Sequence, residues 1–147
     1  MIKMRILQIG MGNVAGGLEA FVMNYYRVLI HMDVQFDFVC MYDKIAYEEE
    51  IQKLGGKVFY VPNVKKHYHG YIKELRKILQ ENEYTAVHVN MLSAANIVPL
   101  RVAHEMGVKK VKIGIIDADL MDNGTRHPNL ALMKISGYYK EQGHEVK

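Results

Sequence analysis

The sequence predicts an α/β fold, a three-layer, Rossmann-like parallel sheet with helices on both faces. Short apolar segments alternate along the chain with longer segments of helical spacing. Glycine, proline or polar clusters separate these segments, and the first apolar segment runs into a loop that contains four glycines. Strands joined by helices form parallel sheets through right-handed crossovers, so both sheet faces are expected to be covered.

The first strand is predicted at 3–9 and the first helix at 17–31. The remaining strands are predicted at 34–41, 57–61, 85–90 and 110–116, and the remaining helices at 45–54, 71–82, 93–106 and 128–142. On the first helix we expect one apolar stripe to face the sheet, made of Leu18, Phe21, Val22, Tyr25, Val28 and Leu29.

Capping residues mark several predicted helix ends. Gly55-Gly56, Gly107 and Gly143 follow predicted helices as C-caps, and Ser93 precedes one as an N-cap. We expect Pro99 to kink the helix at 93–106. Residues 1–110 are predicted to form the Rossmann-like domain, and 111–147 an additional strand, loop and helix that complete the same sheet.

Composition excludes several classes of protein. The net charge of +3 is mild, and no stripe of lysine and arginine is interleaved with aromatic residues, so a nucleic-acid partner is not expected. No apolar run approaches the roughly 18–20 residues of a membrane span. The single cysteine, Cys40, cannot form an internal disulfide and is expected in the core. With a strand pattern at the start in place of a signal peptide, these features predict a cytoplasmic protein.

The loop between the first strand and the first helix is the strongest functional signal. It contains Gly10, Gly12, Gly16 and Gly17. Glycines let backbone N–H groups approach an anion, and the N-terminus of the following helix adds partial positive charge. The segment therefore predicts a nucleotide or sugar-nucleotide ligand at the carboxyl edge of the sheet.

Two motifs at that edge resemble family-four retaining glycosyltransferases of GT-B fold. Gly16-Gly17-Leu18-Glu19 resembles the Gly-Gly-x-Glu signature of that family, and Tyr84-Thr-Ala-Val-His88-Val-Asn90 stands in the place of its Asp-x-Val-His-x-His strand. Gly55-Gly56-Lys57, placed before a strand that is stopped by Pro62, is also similar to the arrangement in that family. The resemblance covers residues 3–110.

The resemblance implies the N-terminal, acceptor-side half of an enzyme with two Rossmann-like domains. Such an enzyme transfers a hexose from a nucleotide-sugar donor to a sugar or lipid-linked acceptor, with retention, in surface polysaccharide synthesis. Its implied substrate-binding residues here are Gly12, Gly16, Gly17, Glu19, His88 and Asn90. The glycines face the donor diphosphate, and His88 reaches the donor sugar or the acceptor. Asn90 replaces a second histidine, and its amide can still bind a sugar hydroxyl.

The same resemblance places no catalytic residue, metal or cofactor in this chain, because the family's carboxylates and nucleotide-holding basic residues lie in a C-terminal domain. These 147 residues contain no second domain of that kind. A helix terminus contributes about 0.3–1 kcal/mol to anion binding, whereas millimolar affinity requires about 4 kcal/mol. We therefore expect the chain to be inactive alone.

Two other functions stay open at this stage. Gly10-x-Gly12-x-x-Ala15 fits a relaxed dinucleotide fingerprint, which would make the chain an oxidoreductase module. The acidic residue nearest in role for the ribose is Asp43, which comes later than that motif requires. A non-catalytic binding domain is the other alternative, because a lone half-enzyme could act in that way.

Basic residues before and within the third predicted helix have two interpretations. Lys65, Lys66, Lys73, Arg76 and Lys77 could lie against anionic lipid at the inner membrane face, or form an ordinary solvated helix face. His67 and His69 stand among them, where solvation is favoured over metal binding.

The tail has a separate resemblance. Lys112–Asp117 repeats the pattern of the first strand, and Asp117-Ala-Asp119-Leu with 126–133 is similar to the opening of some radical-SAM enzymes with a cobalamin-type N-terminal domain. That family's cobalamin and iron–sulfur motifs are missing, so a truncated or fused reading frame is one interpretation. Asp117 and Asp119 could share a divalent ion with a diphosphate, although the turn-forming residues of this loop are the favoured explanation for them.

Overall fold

The computed structural model describes residues 4–90, 97–108 and 110–113. The strands are β1 (Met4–Ile9), β2 (Val34–Cys40), β3 (Val58–Tyr60), β4 (Ala86–Val89) and β5 (Lys110–Ile113). The helices are α1 (Gly17–Leu29), which a 3₁₀ turn at Ile30–Met32 extends, α2 (Glu48–Lys53), α3 (Tyr68–Glu81) and α4 (Ile97–Glu105). The predicted Ser93 cap, the helix at 128–142, Gly143, Asp117 and Asp119 lie outside the described residues.

The sheet has the strand order β3-β2-β1-β4-β5. Strand β1 lies parallel to both β2 and β4, and β2 lies parallel to β3. This is the predicted Rossmann-like α/β fold. The chain divides into two compact units, 1–112 and 113–147, and the described residues belong to the first unit apart from Ile113.

Helices cover both faces of the sheet because the crossovers reverse direction at β1. Moving outward through β1, β2 and β3, right-handed crossovers place α1 and α2 on one face. The connections through α3 and α4 run the opposite way across the sheet, and these two helices pack against each other. The core under α1 is built from buried side chains of three elements and two loops, namely Met11, Val22, Met23, Tyr26, Phe36, Phe38, Cys40, Ile45 and Ile51.

The predicted orientation of α1 is wrong for half of its stripe. Phe21, Tyr25 and Val28 are exposed, while the buried face carries Val22 together with Glu19, Met23 and Tyr26. Apolar residues lie on both sides of this helix, so hydrophobic periodicity alone could not identify the side that faces the sheet.

The predicted C-caps of α2 and α4 are confirmed. Gly55 has φ +82°, and the N–H groups of Gly55 and Gly56 donate to the carbonyls of Gln52 and Ile51. Gly107, with φ +76°, closes α4 by the same pattern. In both places the left-handed conformation satisfies carbonyls that a helix end otherwise leaves unpaired.

A buried carboxylate joins four segments near the amino ends of the strands. Asp37 on β2 is fully buried. Its oxygens accept hydrogen bonds from Arg5 Nε at 2.7 Å, Tyr84 Oη at 2.9 Å and the Lys57 backbone N–H at 2.9 Å. The hydrogen bond to Asp37 raises the pKa of Arg5. Asp37 thereby connects β1, β2 and the segments that lead into β3 and β4.

We predict that Asp37→Asn lowers the free energy of unfolding by about 2–3 kcal/mol, because Arg5 loses its charged partner in a partly buried site. Urea unfolding followed by circular dichroism measures the change. Glu105→Gln is the control, since Glu105 pairs with Arg76 on the surface and should cost less than about 1 kcal/mol. Equal losses in the two variants would contradict the structural role of Asp37.

Two fully buried tyrosines offer a matched comparison. The Tyr71 hydroxyl has no hydrogen-bond partner within the described part of the chain, whereas the Tyr26 hydroxyl donates to the Leu54 carbonyl at 3.2 Å and accepts from Gln35. We expect Tyr71→Phe to leave the free energy of unfolding unchanged or to raise it by about 1 kcal/mol, and Tyr26→Phe to lower it by about 1–2 kcal/mol. Urea titration tests both, and a larger loss for Tyr71→Phe would show that its hydroxyl is satisfied.

Candidate functional site

The loop between β1 and α1 is open to solvent at the carboxyl edge of the sheet. It leaves β1 at Gly10, whose φ of +114° is a conformation that favours glycine. Every residue from 13 to 17 is exposed. The predicted glycine-rich loop therefore exists as an accessible surface feature.

The Glu19 carboxylate joins the two ends of this loop by accepting hydrogen bonds from two of its backbone N–H groups. Glu19 is buried in the first turn of α1, where Oε1 accepts the Gly12 N–H at 2.8 Å and Oε2 accepts the Gly16 N–H at 3.1 Å. A Cβ at Gly12 or Gly16 would lie 3.2 or 2.9 Å from these oxygens. A side chain at either position would therefore push this carboxylate out of its present place.

Glu19 also changes the electrostatics predicted for the loop. Hydrogen bonds to a charged group contribute about 1.5–3 kcal/mol each, which exceeds the 0.3–1 kcal/mol typical of a helix dipole. The carboxylate therefore takes up most of the positive potential that the loop and the helix N-terminus supply. An added diphosphate would meet a negative charge already in place.

The backbone N–H groups of Gly17 and Leu18 are the hydrogen-bond donors of this loop that remain available to a ligand. Their N–H groups occupy the first turn of α1, where no intrahelical acceptor exists, and no acceptor for them is found among residues 4–90 and 97–108. A Cβ at Gly17 would meet no atom within 4 Å. Packing within the described residues therefore does not account for glycine at this position.

His88 and Asn90 lie at the end of β4, beside the end of β1. His88 pairs in register with Gln8, and the Asn90 N–H donates to the Ile9 carbonyl at 2.7 Å. Residues that pair across strands, or stand two apart on one, share a face, so both residues lie on the α1 side of the sheet. His88 is half-buried, and Asn90 is 4% exposed.

The Asn90 amide is held in one orientation by Gln8. Asn90 Nδ2 donates to Gln8 Oε1 at 2.9 Å, while Asn90 Oδ1 is buried without a partner in the described part of the molecule. Sequence reasoning missed Gln8, although a glutamine inside the apolar segment Ile6–Ile9 was the available signal. A buried, unpaired amide oxygen favours a ligand group that donates a hydrogen bond.

The loop after β2 supports the glycine loop. The Ala46 N–H donates to the Gly12 carbonyl at 3.0 Å. Cys40 is buried at the end of β2, as predicted, and burial raises the pKa of its thiol. Asp43, the candidate ribose ligand, is exposed three residues beyond the end of β2.

Other predicted features remain on the surface. A concavity of about 580 Å³ beside α2 is lined by Lys44, Tyr47, Glu48, Glu49, Glu50, Gln52 and Lys53. Its three carboxylates disfavour a diphosphate. His67 and His69 are exposed beside Lys65 and Lys66.

Within the described residues no three histidine, cysteine or acidic side chains come together as a metal site. None of the described helices has the length and apolar character needed to cross a membrane.

Comparison with known proteins relates this chain to one described as a glycosyltransferase. No family model matches the sequence. The chain is 38% identical over 112 residues to a protein of Bacillus subtilis (strain 168) named "Putative glycosyltransferase EpsF". The match takes in 68% of this chain and 29% of that protein, so the two are homologous over part of their lengths.

Solved structures support the fold alone. The C-terminal domain of the PF1911 hydrogenase from Pyrococcus furiosus superposes with a TM-score of 0.52 at 16% identity, over 76% of this chain and 91% of that domain. A second structure of the same domain gives a TM-score of 0.49 at the same identity and coverage. The first similarity agrees with the Rossmann-like topology described above.

We predict that Glu19→Gln loosens the loop, because an amide oxygen can replace only one of the two carboxylate acceptors. Amide hydrogen exchange followed by NMR should show faster exchange at Gly12 or Gly16, with a loss of about 1–2 kcal/mol in the free energy of unfolding. Glu49→Gln is the control, since Glu49 is exposed in the first turn of α2. Unchanged exchange at both glycines would mean that the carboxylate does not hold the loop.

Proposed function

We propose that this chain is the N-terminal, acceptor-side half of a glycosyltransferase that uses a nucleotide-sugar donor. The observation that carries the proposal is the 38% identity over 112 residues to a protein named as a glycosyltransferase. The exposed glycine loop and the unpaired Asn90 oxygen, both at the carboxyl edge of the sheet, also support the proposal.

The structure suggests a division of roles among the six candidate residues. Gly12, Gly16 and Glu19 form the hydrogen-bonded frame of the loop. In our proposal Gly17, with the Leu18 N–H, faces the donor diphosphate, where a side chain would intrude. Asn90 Oδ1 accepts a hydrogen bond from a sugar hydroxyl, and His88 lies next to it on the same face of the sheet.

An opposing lobe is essential to this proposal. The Glu19 carboxylate offsets the positive end of α1, so two backbone N–H groups fall well short of the roughly 4 kcal/mol that millimolar binding requires. Cations and catalytic carboxylates would come from a second Rossmann-like domain, as the family resemblance implies. Alone, the chain should bind sugar nucleotides weakly and transfer nothing.

The remaining parts of the proposal concern the acceptor and its location. A hexose would be transferred with retention to a sugar or lipid-linked acceptor in surface polysaccharide synthesis. Lys65, Lys66, Lys73 and Lys77 are all exposed, which suits a peripheral contact with anionic lipid at the cytoplasmic membrane face.

We predict that Gly17→Ala weakens sugar-nucleotide binding without lowering stability. The new Cβ meets open space, and alanine favours a helix, so the free energy of unfolding should stay within about 0.5 kcal/mol or rise. NMR titration with UDP-glucose and GDP-mannose, up to about 10 mM, should move the Gly17, Leu18 and Asn90 amide signals in the parent chain and less in the variant.

Gly70→Ala is the matched control, since Gly70 lies in the first turn of α3 and its Cβ would make ordinary contacts with Pro62. No movement of these signals with either sugar nucleotide would contradict the proposed site. Stronger shifts and thermal protection by NAD would favour the oxidoreductase alternative. Robust donor hydrolysis by the isolated chain would contradict its role as an inactive half.

A further inference from the structure

A buried glutamine on β1 lies beside the candidate site, on the sheet face that α1 covers. Gln8 is 2% exposed. It pairs in register with Phe38 of β2 on one side and with His88 of β4 on the other. Phe38 is part of the apolar core under α1. Burying an amide without hydrogen bonds costs about 1–3 kcal/mol, so packing alone would favour an apolar side chain at this position.

Gln8 makes a hydrogen bond that fixes how the Asn90 amide is turned. Gln8 Oε1 accepts from Asn90 Nδ2 at 2.9 Å, and Asn90 is itself 4% exposed. The two ends of an asparagine amide differ in hydrogen bonding, because the nitrogen only donates and the oxygen only accepts. An acceptor on Gln8 therefore selects the orientation in which the nitrogen meets β1 and the oxygen lies on the other branch of the amide.

The Asn90 oxygen is buried and has no hydrogen-bond partner in the part of the chain that the structure describes. A buried acceptor in this state costs about 1–3 kcal/mol, and a ligand that donates a hydrogen bond there removes that cost. With the amide reversed, the site would present N–H donors and would suit a phosphate or carboxylate oxygen instead. The contact with Gln8 thus determines which chemical group this end of the site accepts.

The charge at this edge of the sheet favours the same ligand group. The Asn90 N–H donates to the carbonyl of Ile9, the last residue of β1 before the glycine loop. In that loop the buried Glu19 carboxylate accepts from the Gly12 and Gly16 N–H groups. An anionic ligand group at Asn90 would be repelled by this charge and by the partial negative charge of Asn90 Oδ1. A neutral hydroxyl avoids the repulsion and can donate to the oxygen.

We propose that Gln8 is a positioning residue, which holds the Asn90 amide so that Oδ1 accepts a hydrogen bond from a hydroxyl of the hexose. The inference rests on the proposed function, because a nucleotide-sugar donor supplies that hexose. Gln8 then gives the site a selectivity, since a sugar that presents a hydroxyl at this point is bound and one that presents a carboxylate is excluded. Gln8 itself acts through Asn90 and does not contact the sugar.

Gln8→Met and Gln8→Glu separate positioning from packing, because the two roles predict opposite orders of ligand binding. Methionine is apolar and adaptable, so it suits a buried position, but its sulfur is a poor acceptor for the Asn90 nitrogen. Glutamate keeps an acceptor oxygen whether it is ionised or protonated, although a buried acid destabilises the fold. We expect Gln8→Met to be the more stable variant in urea unfolding and the weaker variant in ligand binding.

NMR of the full chain gives the two readouts that test this expectation. One Asn90 Nδ2 proton should lie downfield, as a hydrogen-bonded proton does, in the parent chain and in Gln8→Glu, and should move upfield in Gln8→Met. The Gly17 amide reports binding of UDP-glucose and of UDP, which lacks the hexose, each up to about 10 mM. The slope of the Gly17 shift against concentration should be larger for UDP-glucose. The ratio of the two slopes should fall about threefold in Gln8→Met and less than about twofold in Gln8→Glu.

Gln35→Met is the matched control for the loss of a buried glutamine. Gln35 lies at the amino end of β2, away from Asn90, and its amide donates to the Phe36 carbonyl at 3.1 Å. This variant should leave both the Asn90 side-chain proton and the ratio of slopes as they are in the parent chain. Circular dichroism verifies that all three variants are folded.

An Asn90 proton that Gln8→Met does not move overturns the proposal, as does a ratio of slopes that Gln8→Met leaves unchanged. A ratio that Gln8→Glu lowers as far as Gln8→Met assigns Gln8 to packing and overturns it as well, as do equal slopes for the two probes in the parent chain. If Gly17 responds to UDP-glucose in these cases, the proposed function stands. A parent chain in which Gly17 responds to neither probe overturns the proposed function and this inference together.

Discussion

The loop at the candidate site depends on a single carboxylate. Glu19 holds the amides of Gly12 and Gly16 together, and this contact determines how the chain leaves β1 and enters α1. The same charge limits the loop as an anion site, because it occupies the donors that a phosphate would otherwise use. Loop shape and weak intrinsic affinity for an anion thus share one cause. Under the proposed function, tight donor binding would therefore require a second lobe.

The hydrogen-bonding groups left without a partner among the described residues favour particular chemical groups on a ligand. Gly17 and Leu18 offer hydrogen-bond donors, suited to phosphate oxygens, while Asn90 Oδ1 offers a buried acceptor, suited to a hydroxyl. Gln8 accepts a hydrogen bond from the Asn90 amide nitrogen, which leaves the Asn90 oxygen as the atom that can accept from a hydroxyl. The sugar-nucleotide donor of the proposed function carries both a phosphate group and hydroxyls, so it could use both kinds of group.

The order of strands and helices was predictable because alternating apolar segments and glycine caps are local signals. The Schellman ends at Gly55 and Gly107 were therefore correct, whereas the orientation of α1 was not. Phe21 and Tyr25 are as apolar as the residues that are buried, and only the sheet decides between the two sides. The partners of Asp37 and Asn90 lie in segments that are distant in the sequence, so no local pattern revealed them.

The bond from the Ala46 amide to the Gly12 carbonyl has a consequence for protein engineering. It links the loop between β1 and α1 to the loop between β2 and α2, so the two loops hold each other in position. A chimera that grafts a loop of different shape between β1 and α1 would move the backbone carbonyl that Ala46 binds, unless the matching second connection is grafted with it. In a chimera that preserves this bond, residues 10–19 and residues 41–47 should therefore come from the same parent protein.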